Sequence, residues 1–455
     1  MAGRVWQPSL RRTQLNGKPE AMTTNPDAAL RALLDTAGWP VAEAARVSFT
    51  GDDTLYPCRV QAGLATGVAL AAAGLALPGP ARHLKVDLDQ AALMSEGYRH
   101  VRRDGAPVAA PRDALTGFYE TRDGRTLFLH VNFPHHRARA LAVLGAAADR
   151  ESIAAKIRLR DSADLDAALA QAGAIAAPAL SRMEWETSEQ GYAMAARPVI
   201  EITRIGDGPS KPLATMQNLN VIDFTRVLAG PTCGRFLAEA GAQVTRIEHP
   251  QTPDLIAYRL DANRDKVECK LDLRDANDLA ALRDRVAGAD VLVQAYRPGV
   301  AAHFGLDPET LVATNPGLIC ATLSAYGHVG PWSQRRGFDS VVQAACGLAR
   351  LHGGDAPKLL PTSPLDYAAG FLLAFGIEVA LQRRAREGGS YLVRTSLAQV
   401  AHWLRDFQHE TVPAADPARL AHAVEHLSTE TQTPAGLIRH LRSAMTLQDQ
   451  DGANA

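Results

Sequence analysis

The chain has 455 residues, of which 46% are hydrophobic and 21% charged, so it can bury a large core and is not a disordered protein. Its formal net charge of −1 provides no basic field for nucleic acid or an anionic membrane, which favours a small molecule or a protein as partner. The five cysteines are widely spaced without a Cys-x-x-Cys pair, which argues against a disulfide framework or a metal site and fits a cytoplasmic location.

The N-terminal segment contains basic residues without the apolar core of a signal peptide, so we expect no export and a disordered tail over residues 1–27. The apolar run at 64–77 is shorter than the roughly 20 residues of a membrane span and is rich in Ala and Gly. It predicts a buried helix. Farther along, Asp123-Gly124 between two apolar segments predicts a β-hairpin, and residues 135–145 predict a helix.

From residue 219 onward, strand patterns alternate with helix patterns. The predicted strands cover 219–224, 243–248, 267–273, 290–296 and 317–326, and the predicted helices cover 231–241 and 275–287. This alternation predicts an α/β fold with an open, mostly parallel, Rossmann-like sheet and helices on both faces. Ligands of such sheets bind beyond the carboxyl ends of the strands.

A dinucleotide-binding oxidoreductase is the first alternative, because Glu248 ends the second strand where a ribose-binding acid is expected. The glycines argue against it. Residues 228–234 lack the Gly-x-Gly-x-x-Gly spacing that lets a pyrophosphate approach the helix N-terminus.

Asp366 stands immediately before the apolar helical run at 371–381. Asp is a preferred helix N-cap, so simple capping is one interpretation. The other is a nucleophile, since the positive end of a helix favours an ionised carboxylate that can attack an electrophile. This segment alone leaves both open.

Several motifs, in this order and spacing, resemble the family III CoA-transferases and the related methylacyl-CoA racemases. They are VIDFTRVLAGP at 221–231, GAQVTRIE at 241–248, NRDK at 263–266, LDL at 271–273, ADVLVQAYRPG at 289–299, AYGHVGP at 325–331, GFDSVVQA at 337–344 and LDYAAG at 365–370. The resemblance covers about 219–405. It implies an enzyme, with Asp366 at the position of the family's nucleophile.

The resemblance implies transfer of CoA from an acyl-CoA donor to a carboxylic acid acceptor through an aspartyl-CoA thioester on Asp366. It implies no permanently bound cofactor and no metal, with the coenzyme A thioester as substrate. The residues expected to contact CoA are Leu228, Ala229, His249, Arg264, Lys266, Tyr296 and Arg297. Two positions depart from the family pattern: Asp265 replaces a usual Gly, and Ala295 replaces the Asn of formyl-CoA transferases.

Two other functions remain open at this point. In the racemases a His precedes the Asp of the Gly-His-Asp segment and carries protons, whereas here that position is Phe338, which favours CoA transfer. His135, His136 or His328 could substitute, although surface or loop positions are the expectation for them. A non-catalytic acyl-CoA-binding subunit is the third possibility, motivated by Asp265 and Ala295.

The predicted domain order is unusual. Residues 28–105 form a degenerate repeat of the nucleophile-helix region, in which residues 61–63 align with 368–370 and Arg59 takes the place of Asp366. Residues 106–215 resemble the family's smaller α+β domain, and 216–405 form the CoA-binding catalytic domain. Residues 406–455 form a segment returning to the large domain, followed by a disordered tail from Gln448. The resemblance also implies a homodimer.

Overall fold

The computed structural model describes residues 25–108, 112–252, 254–297 and 299–448. The predictions for 1–24 and 449–455 lie outside the described residues. The predicted disordered tails are each wrong at one boundary. Pro26 and Asp27 begin a helix, in which the amides of the first turn donate to the side chain of Asn25. Gln448 belongs to a paired strand.

Within these residues the chain is a mixed α/β protein with four sheets, so the predicted α/β class is confirmed. The helices are α1 Pro26–Thr36, α2 Ala62–Ala76, α3 Leu88–Met94, α4 Pro134–Leu144, α5 Arg150–Ile157, α6 Ser162–Gln171, α7 Arg182–Thr187, α8 Glu189–Ala195, α9 Ala229–Glu239, α10 Ile256–Ala262, α11 Ala276–Ala287, α12 Val300–His303, α13 Pro308–Thr314, α14 Asp339–Ala345, α15 Leu348–Gly353, α16 Pro364–Glu387, α17 Leu397–Leu404 and α18 Pro417–His426.

The strands are β1 Val47–Thr50, β2 His83–Asp87, β3 Arg102–Arg103, β4 Ala106–Pro107, β5 Gly117–Glu120, β6 Thr126–Leu129, β7 Ala176–Pro178, β8 Glu201–Gly206, β9 Asn220–Phe224, β10 Gln243–Glu248, β11 Val267–Lys270, β12 Val291–Gln294, β13 Ile319–Ser324, β14 Ser390–Ser396, β15 Ser428–Thr433, β16 Gly436–Leu441 and β17 Met445–Gln448.

The largest sheet has seven strands in the order β11-β10-β9-β12-β13-β14-β8. All neighbours in it are parallel except β8, which runs antiparallel to β14. Successive side chains of its strands enter two separate cores: Val221 and Val291 pack on one face, Ile222 and Leu292 on the other. Both faces of this sheet are therefore covered, which explains why its central strands β12 and β13 are largely apolar.

Helix α16 runs through the centre of the molecule and packs along both α9 and α2. Gly370 permits the close approach to α9, because a Cβ at this position would lie 2.6 Å from the carbonyl oxygen of Ala229. By length and composition α16 could cross a membrane, but its most apolar stretch is entirely buried within the protein. Helix α2 is likewise buried along its whole length, as predicted for 64–77.

The segment β1-α2-β2-α3 resembles β13-α16-β14-α17 in its order of elements, except that α14 and α15 lie between β13 and α16. The sequence register that aligns residues 61–63 with 368–370 also aligns Leu84 with Tyr391. Leu84 pairs with Val47 in a parallel ladder, and Tyr391 pairs with Ile319 in the same way. This correspondence supports the degenerate repeat, which stays a prediction together with the domain boundaries.

The predicted hairpin at Asp123-Gly124 forms between β5 and β6, and β7 completes a three-stranded sheet. Helices α4, α5 and α6 bury their apolar side chains against it in a third core. The C-terminal segment adds no strand to the seven-stranded sheet: β16 pairs with β3, and β17 pairs with β2. The expectation that residues 406–455 return to the large domain stays a prediction, and the strand edges that β16 and β17 join belong to residues 83–103.

Candidate active site

Asp366 lies in the first turn of α16, and a second carboxylate accepts hydrogen bonds from the backbone amides of that turn. The amides of Leu365 and Asp366 donate to Oδ2 of Asp339, at 2.9 and 3.2 Å, while Ser363 makes no side-chain capping bond. The expectation that Asp366 caps the helix is wrong. Since Asp366 is already inside the first turn, its own amide is one of those that need an acceptor, and Asp339, brought from α14, supplies it.

Burial raises the proton affinity of both carboxyl groups, and Asp339 adds to the effect at Asp366. Burial, followed by the nearby Asp339, raises the pKa of Asp366 well above its usual range. Burial also raises the pKa of Asp339 to about 6, although the hydrogen bond from Gln343 and the helix amides oppose the rise. The expectation that the helix end alone keeps Asp366 ionised is wrong, because desolvation and a like charge outweigh it.

A first cavity, with a volume of about 330 Å³, opens beside Asp366. Four of the seven predicted CoA contacts line it: Leu228, Ala229, Tyr296 and Arg297. Leu228 and Ala229 lie at the start of α9, and Tyr296 and Arg297 follow β12, so the carboxyl ends of parallel strands gather around the cavity as predicted.

The loop between β9 and α9 carries an unusual backbone conformation. Val227 lines this cavity with φ of +72°, a value that costs energy in a β-branched residue. Its amide donates to Asp254 Oδ2 at 3.1 Å, and Asp254 also binds the buried Arg246 at 2.7 Å. A buried ion pair therefore holds the strained loop. Asp265 has φ of +60°, which explains why the family pattern has Gly there.

The structure does not bring the other three predicted CoA contacts to either cavity beside Asp366. Lys266 is fully buried and donates to Asp223 Oδ2 and the carbonyl oxygen of Pro231, both at 2.7 Å. Arg264 donates to Glu239 at 3.2 Å, and the ring of His249 lies 3.2 Å from Arg274. The expectation that Lys266, Arg264 and His249 contact CoA directly is therefore not supported at these cavities. Lys266 and Arg264 instead form ion pairs with acidic residues that are distant in sequence.

Other arginines supply positive charge to the first cavity. Arg226, Arg335 and Arg336 line it together with Arg297. Arg226 binds Asp254 and Arg335 binds Asp166, whereas Arg297 and Arg336 form no ion pair within the described residues. Burial, followed by Arg297 and Arg139, lowers the pKa of Arg336. This concentration of cations is suited to a polyanionic ligand.

Aromatic rings form the wall between Asp366 and α4. Phe338 stacks on Phe133, with centroids 5.4 Å apart, and lies 4.5 Å from the ring of His130 and 6.0 Å from that of His136. His136 is buried, so the expectation of a surface position for it is wrong. His135 also lines the first cavity, whereas His328 borders neither cavity beside Asp366 and lies 3.2 Å from the hydroxyl of Thr322.

A second cavity of about 350 Å³ lies on another side of the same carboxylate. Its lining includes Asp366 and Asp339, and its other polar side chains come largely from the N-terminal half of the chain. Among them are Tyr98, Arg99, Arg112, His130 and Asn132. Sequence reasoning missed these residues because no motif links them to Asp366. The Gly-Phe-Asp segment was the available signal for Asp339.

Chemically, the site offers one buried carboxyl group, Asp366, that lines both cavities. In the part of the chain that the structure describes, no three His, Cys, Asp or Glu side chains are grouped to hold a metal ion. The titratable groups that line the two cavities include Asp366, Asp339, His130 and several arginines.

A comparison with known protein families identifies a family whose model matches the part of the chain that contains this site. The family model described as "CoA-transferase family III" matches residues 216–432, which include Asp339 and Asp366.

By this match, residues 216–432 are similar to CoA-transferase family III.

Curated relatives of the family III segment are named as CoA-transferases. The acetyl-coenzyme A transferase nodX of Hypoxylon pulicicidum is 31% identical over 345 residues, which cover 69% of this chain and 58% of that protein. The succinyl-CoA–L-malate CoA-transferase alpha subunit of Chloroflexus aurantiacus is 34% identical over 223 residues, covering 46% of this chain and 51% of that protein. This chain thus spans little more than half of these relatives' length.

Among solved structures, Rv3272 from M. tuberculosis is 35% identical and covers 44% of this chain and 56% of its own, with a TM-score of 0.40. A CAIB/BAIF family protein from Brucella suis is 29% identical, with coverage of 43% and 55% and a TM-score of 0.39. The family III assignment rests on the sequence match.

Proposed function

We propose that this protein is an acyl-CoA:carboxylate CoA-transferase that works through Asp366. The observation that carries the proposal is the position of this buried carboxylate, which lines both cavities within the segment that matches family III. One cavity can hold the CoA part of a thioester while the other receives the acid. A carboxylate that borders both cavities can react covalently with the thioester in one and with the acid in the other.

The proposed reaction has four steps. The ionised Asp366 attacks the thioester carbonyl of acyl-CoA, which gives an aspartyl acyl anhydride and CoA thiolate. The thiolate then attacks the aspartyl carbonyl of the anhydride, releasing the donor acid and leaving an aspartyl-CoA thioester. An acceptor carboxylate attacks this thioester, which gives a second anhydride and thiolate. The thiolate finally attacks the acceptor carbonyl, releasing the new acyl-CoA and Asp366.

Positive charge in the first cavity supports CoA as its ligand. CoA carries several phosphate groups, and guanidinium groups bind phosphate through charge-assisted hydrogen bonds. Arg297 and Arg336 offer such groups without a competing ion pair in the described residues. Tyr296, Leu228 and Ala229 would provide the flat and apolar contacts that adenine and the pantetheine arm require.

The carboxyl pair supplies the required change in protonation. Because burial and then Asp339 raise the proton affinity of Asp366, this carboxyl group has to lose its proton before it attacks, and the charge that it gains is opposed by any charge on Asp339. Formation of the thioester removes that charge. We infer that Asp339 favours the acylated enzyme over the free carboxylate.

The test is to trap the intermediate. Wild-type protein incubated with acyl-CoA and then hydroxylamine or borohydride should carry a modification at Asp366, located by peptide mass spectrometry. Asp366→Asn should lose it and reduce CoA exchange by about 10⁴-fold or more. Exchange activity that survives this substitution in a folded protein would contradict the proposal.

A second candidate is an acyl-CoA isomerase. His130 lines the second cavity with Asp366, Nε2 has no hydrogen-bond partner in the described residues, and burial lowers the pKa to about 3. A neutral imidazole beside a protonated carboxyl could pass a proton across an α-carbon. In deuterated water an isomerase would exchange the α-proton of acyl-CoA without an acceptor acid, whereas the transferase would not.

We also propose a Rossmann-like arrangement for the large sheet, supported by its order β11-β10-β9-β12-β13-β14 with parallel neighbours. The aspartyl-CoA intermediate, the homodimer and the cytoplasmic location are further parts of the proposal. Light scattering on the purified protein tests the homodimer, with a mass near 97 kDa expected from twice the 48.6 kDa chain.

A further inference from the structure

We propose that the second cavity binds a short dicarboxylic acid and that Arg112 recognises the carboxylate that does not react. This inference rests on the proposed CoA transfer through Asp366 and names the class of acid that the transfer uses. The observation behind it is that Asp366, Arg99 and Arg112 line one small cavity.

The size of the cavity limits the acid. Its volume of about 350 Å³ is at the low end of the roughly 300–1,000 Å³ found for ligand pockets. An acid whose first carboxylate reaches Asp366 therefore has its other end near the arginines that share the cavity. A short chain with a charge at that end fits such a space.

Of the two arginines, Arg112 has the free guanidinium. Arg99 donates to Glu96 at 3.0 Å, to the carbonyl oxygen of Pro361 at 3.1 Å and to the hydroxyl of Tyr98 at 3.2 Å. Arg112 makes no hydrogen bond or ion pair to the residues that the structure describes. A guanidinium in this state can bind a carboxylate through two parallel hydrogen bonds.

The charge of Arg112 acts on the cavity itself. Burial raises the pKa of Asp339 and of Tyr258, and in both cases Arg112 is among the groups that oppose the rise. Its guanidinium is thus close enough to stabilise negative charge on two residues of the lining. It can do the same for a ligand carboxylate.

The acidic pair explains why the second carboxylate of the substrate needs its own cation. A dianion that enters the cavity is repelled by any charge on Asp339 and Asp366. The reacting carboxylate approaches Asp366 after that charge has been consumed in the thioester, but the other carboxylate stays ionised throughout. Arg112, although exposed to solvent, can pair with this charge through charge-assisted hydrogen bonds.

The remaining lining also disfavours an apolar tail. Asn132, Ser340, Ser363 and the hydroxyl of Tyr98 present polar atoms to the cavity. A monocarboxylic acid with an alkyl chain would leave Arg112 without a carboxylate partner, and a polar site discriminates strongly against a ligand that lacks the matching group.

The experiment compares acids of equal length in the transfer assay. Dicarboxylates from malonate to adipate are each paired with the monocarboxylate of the same carbon number, as acceptors for CoA. The best dicarboxylate should exceed its partner in kcat/KM. Arg112→Gln should reduce kcat/KM for that dicarboxylate by about 10-fold or more, with little effect on the monocarboxylate, and Arg112→Lys should recover part of the loss.

Arg103→Gln is the matched control, because Arg103 is an exposed arginine on β3 that lines neither cavity beside Asp366. It should change neither activity. Equal losses with both classes of acid in Arg112→Gln, or no loss with either, would overturn the inference while leaving CoA transfer intact.

A second readout is independent of transfer. In thermal unfolding of the wild-type protein, the preferred dicarboxylate should raise the midpoint more than the monocarboxylate, and Arg112→Gln should abolish that difference. If no acid accepts CoA but this difference is found, the proposed function fails and the binding site stands. If neither acid shifts the midpoint, the binding site fails.

Discussion

Two carboxyl groups at one helix end govern the chemistry available to this site. Asp366 lies in the first turn of α16, and Asp339 accepts the amides of that turn from a separate helix. In this pair, Asp366 is the proposed nucleophile, and Asp339 opposes the ionisation of Asp366. Its reactivity therefore depends on pH through both residues, even though only Asp366 is expected to form a covalent bond.

At the residue scale we predict that Asp339→Asn moves the acidic limb of the kcat/KM profile to lower pH. Burial and then Asp339 raise the pKa of Asp366, so removal of the neighbouring charge allows Asp366 to ionise in more acidic solution. Asn keeps an oxygen that can accept the amides of Leu365 and Asp366. The measurement is the pH dependence of CoA exchange.

Asp149→Asn is a suitable control, because Asp149 caps the short helix α5 and lines neither cavity. It should leave the profile unchanged. An acidic limb that stays in place in Asp339→Asn would show that burial alone sets the proton affinity of Asp366.

At the scale of elements, α16 combines a reactive first turn with a buried polar group farther along. Glu378 is completely buried, and neither of its carboxylate oxygens has a hydrogen-bond partner in the described residues. Burial raises the pKa of Glu378 well above its usual range. It lies near α9, where burial, together with Asp223 and Glu378, raises the pKa of Cys233.

We predict that Glu378→Met increases the free energy of unfolding by about 1–3 kcal/mol, the usual cost of a buried polar group without a partner. The folded pKa of Glu378 is raised, so its contribution to stability is fully present below the unfolded value of about 4.3 and is lost as pH rises above it. The advantage of the variant should therefore grow with pH. Denaturant titrations at several pH values measure this.

The control is Glu151→Met, at an exposed position in α5, which should change stability by less than about 0.5 kcal/mol at every pH. A destabilised Glu378→Met protein, or an advantage that shrinks as pH rises, would contradict the proposed neutral, unpaired carboxyl.

At the scale of the whole molecule, the N-terminal half both covers α16 and completes the second cavity. Helix α2 is wholly buried against α16, and side chains from 98–132 line the cavity beside Asp366. We predict that residues 216–455 expressed alone are largely insoluble, because the apolar face of α16 that α2 covers would be exposed to water.

Co-expression of residues 25–215 with 216–455 should recover soluble protein as a complex of the two fragments, measured by co-purification. The intact chain serves as the reference. A soluble 216–455 fragment that unfolds cooperatively by itself would show that the N-terminal half is dispensable for the fold.

The five strands between 219 and 326 and the helices α9 and α11 were predictable because their patterns are local and regular, whereas the short helices α10, α12 and α13 were not predicted. The contacts of Lys266 and Arg264 were not. Both carry the expected charge near the site, but their partners, Asp223 and Glu239, lie more than twenty residues away, so the sequence alone does not show that they are occupied. The same limit explains why Arg112 and Tyr98 were missed.

The cap of α16 illustrates a finer limit. The sequence places an Asp close to the start of the helix, and local preference assigns it the capping role. The acceptor that the structure uses, Asp339, is about 25 residues earlier in the chain. Local rules therefore located the helix end, whereas the proposed role of Asp366 came from the family resemblance, and the partner that accepts the amides of this helix end depends on tertiary structure.

The shared position of Asp366 between two cavities has a consequence for steady-state kinetics. If CoA stays in the cavity of Tyr296 and Arg297 throughout the exchange, the departing donor acid and the incoming acceptor use the same space beside Arg112. The donor acid should then act as a competitive product inhibitor with respect to the acceptor. Its inhibition constant would report the affinity of the same cavity that selects the acceptor.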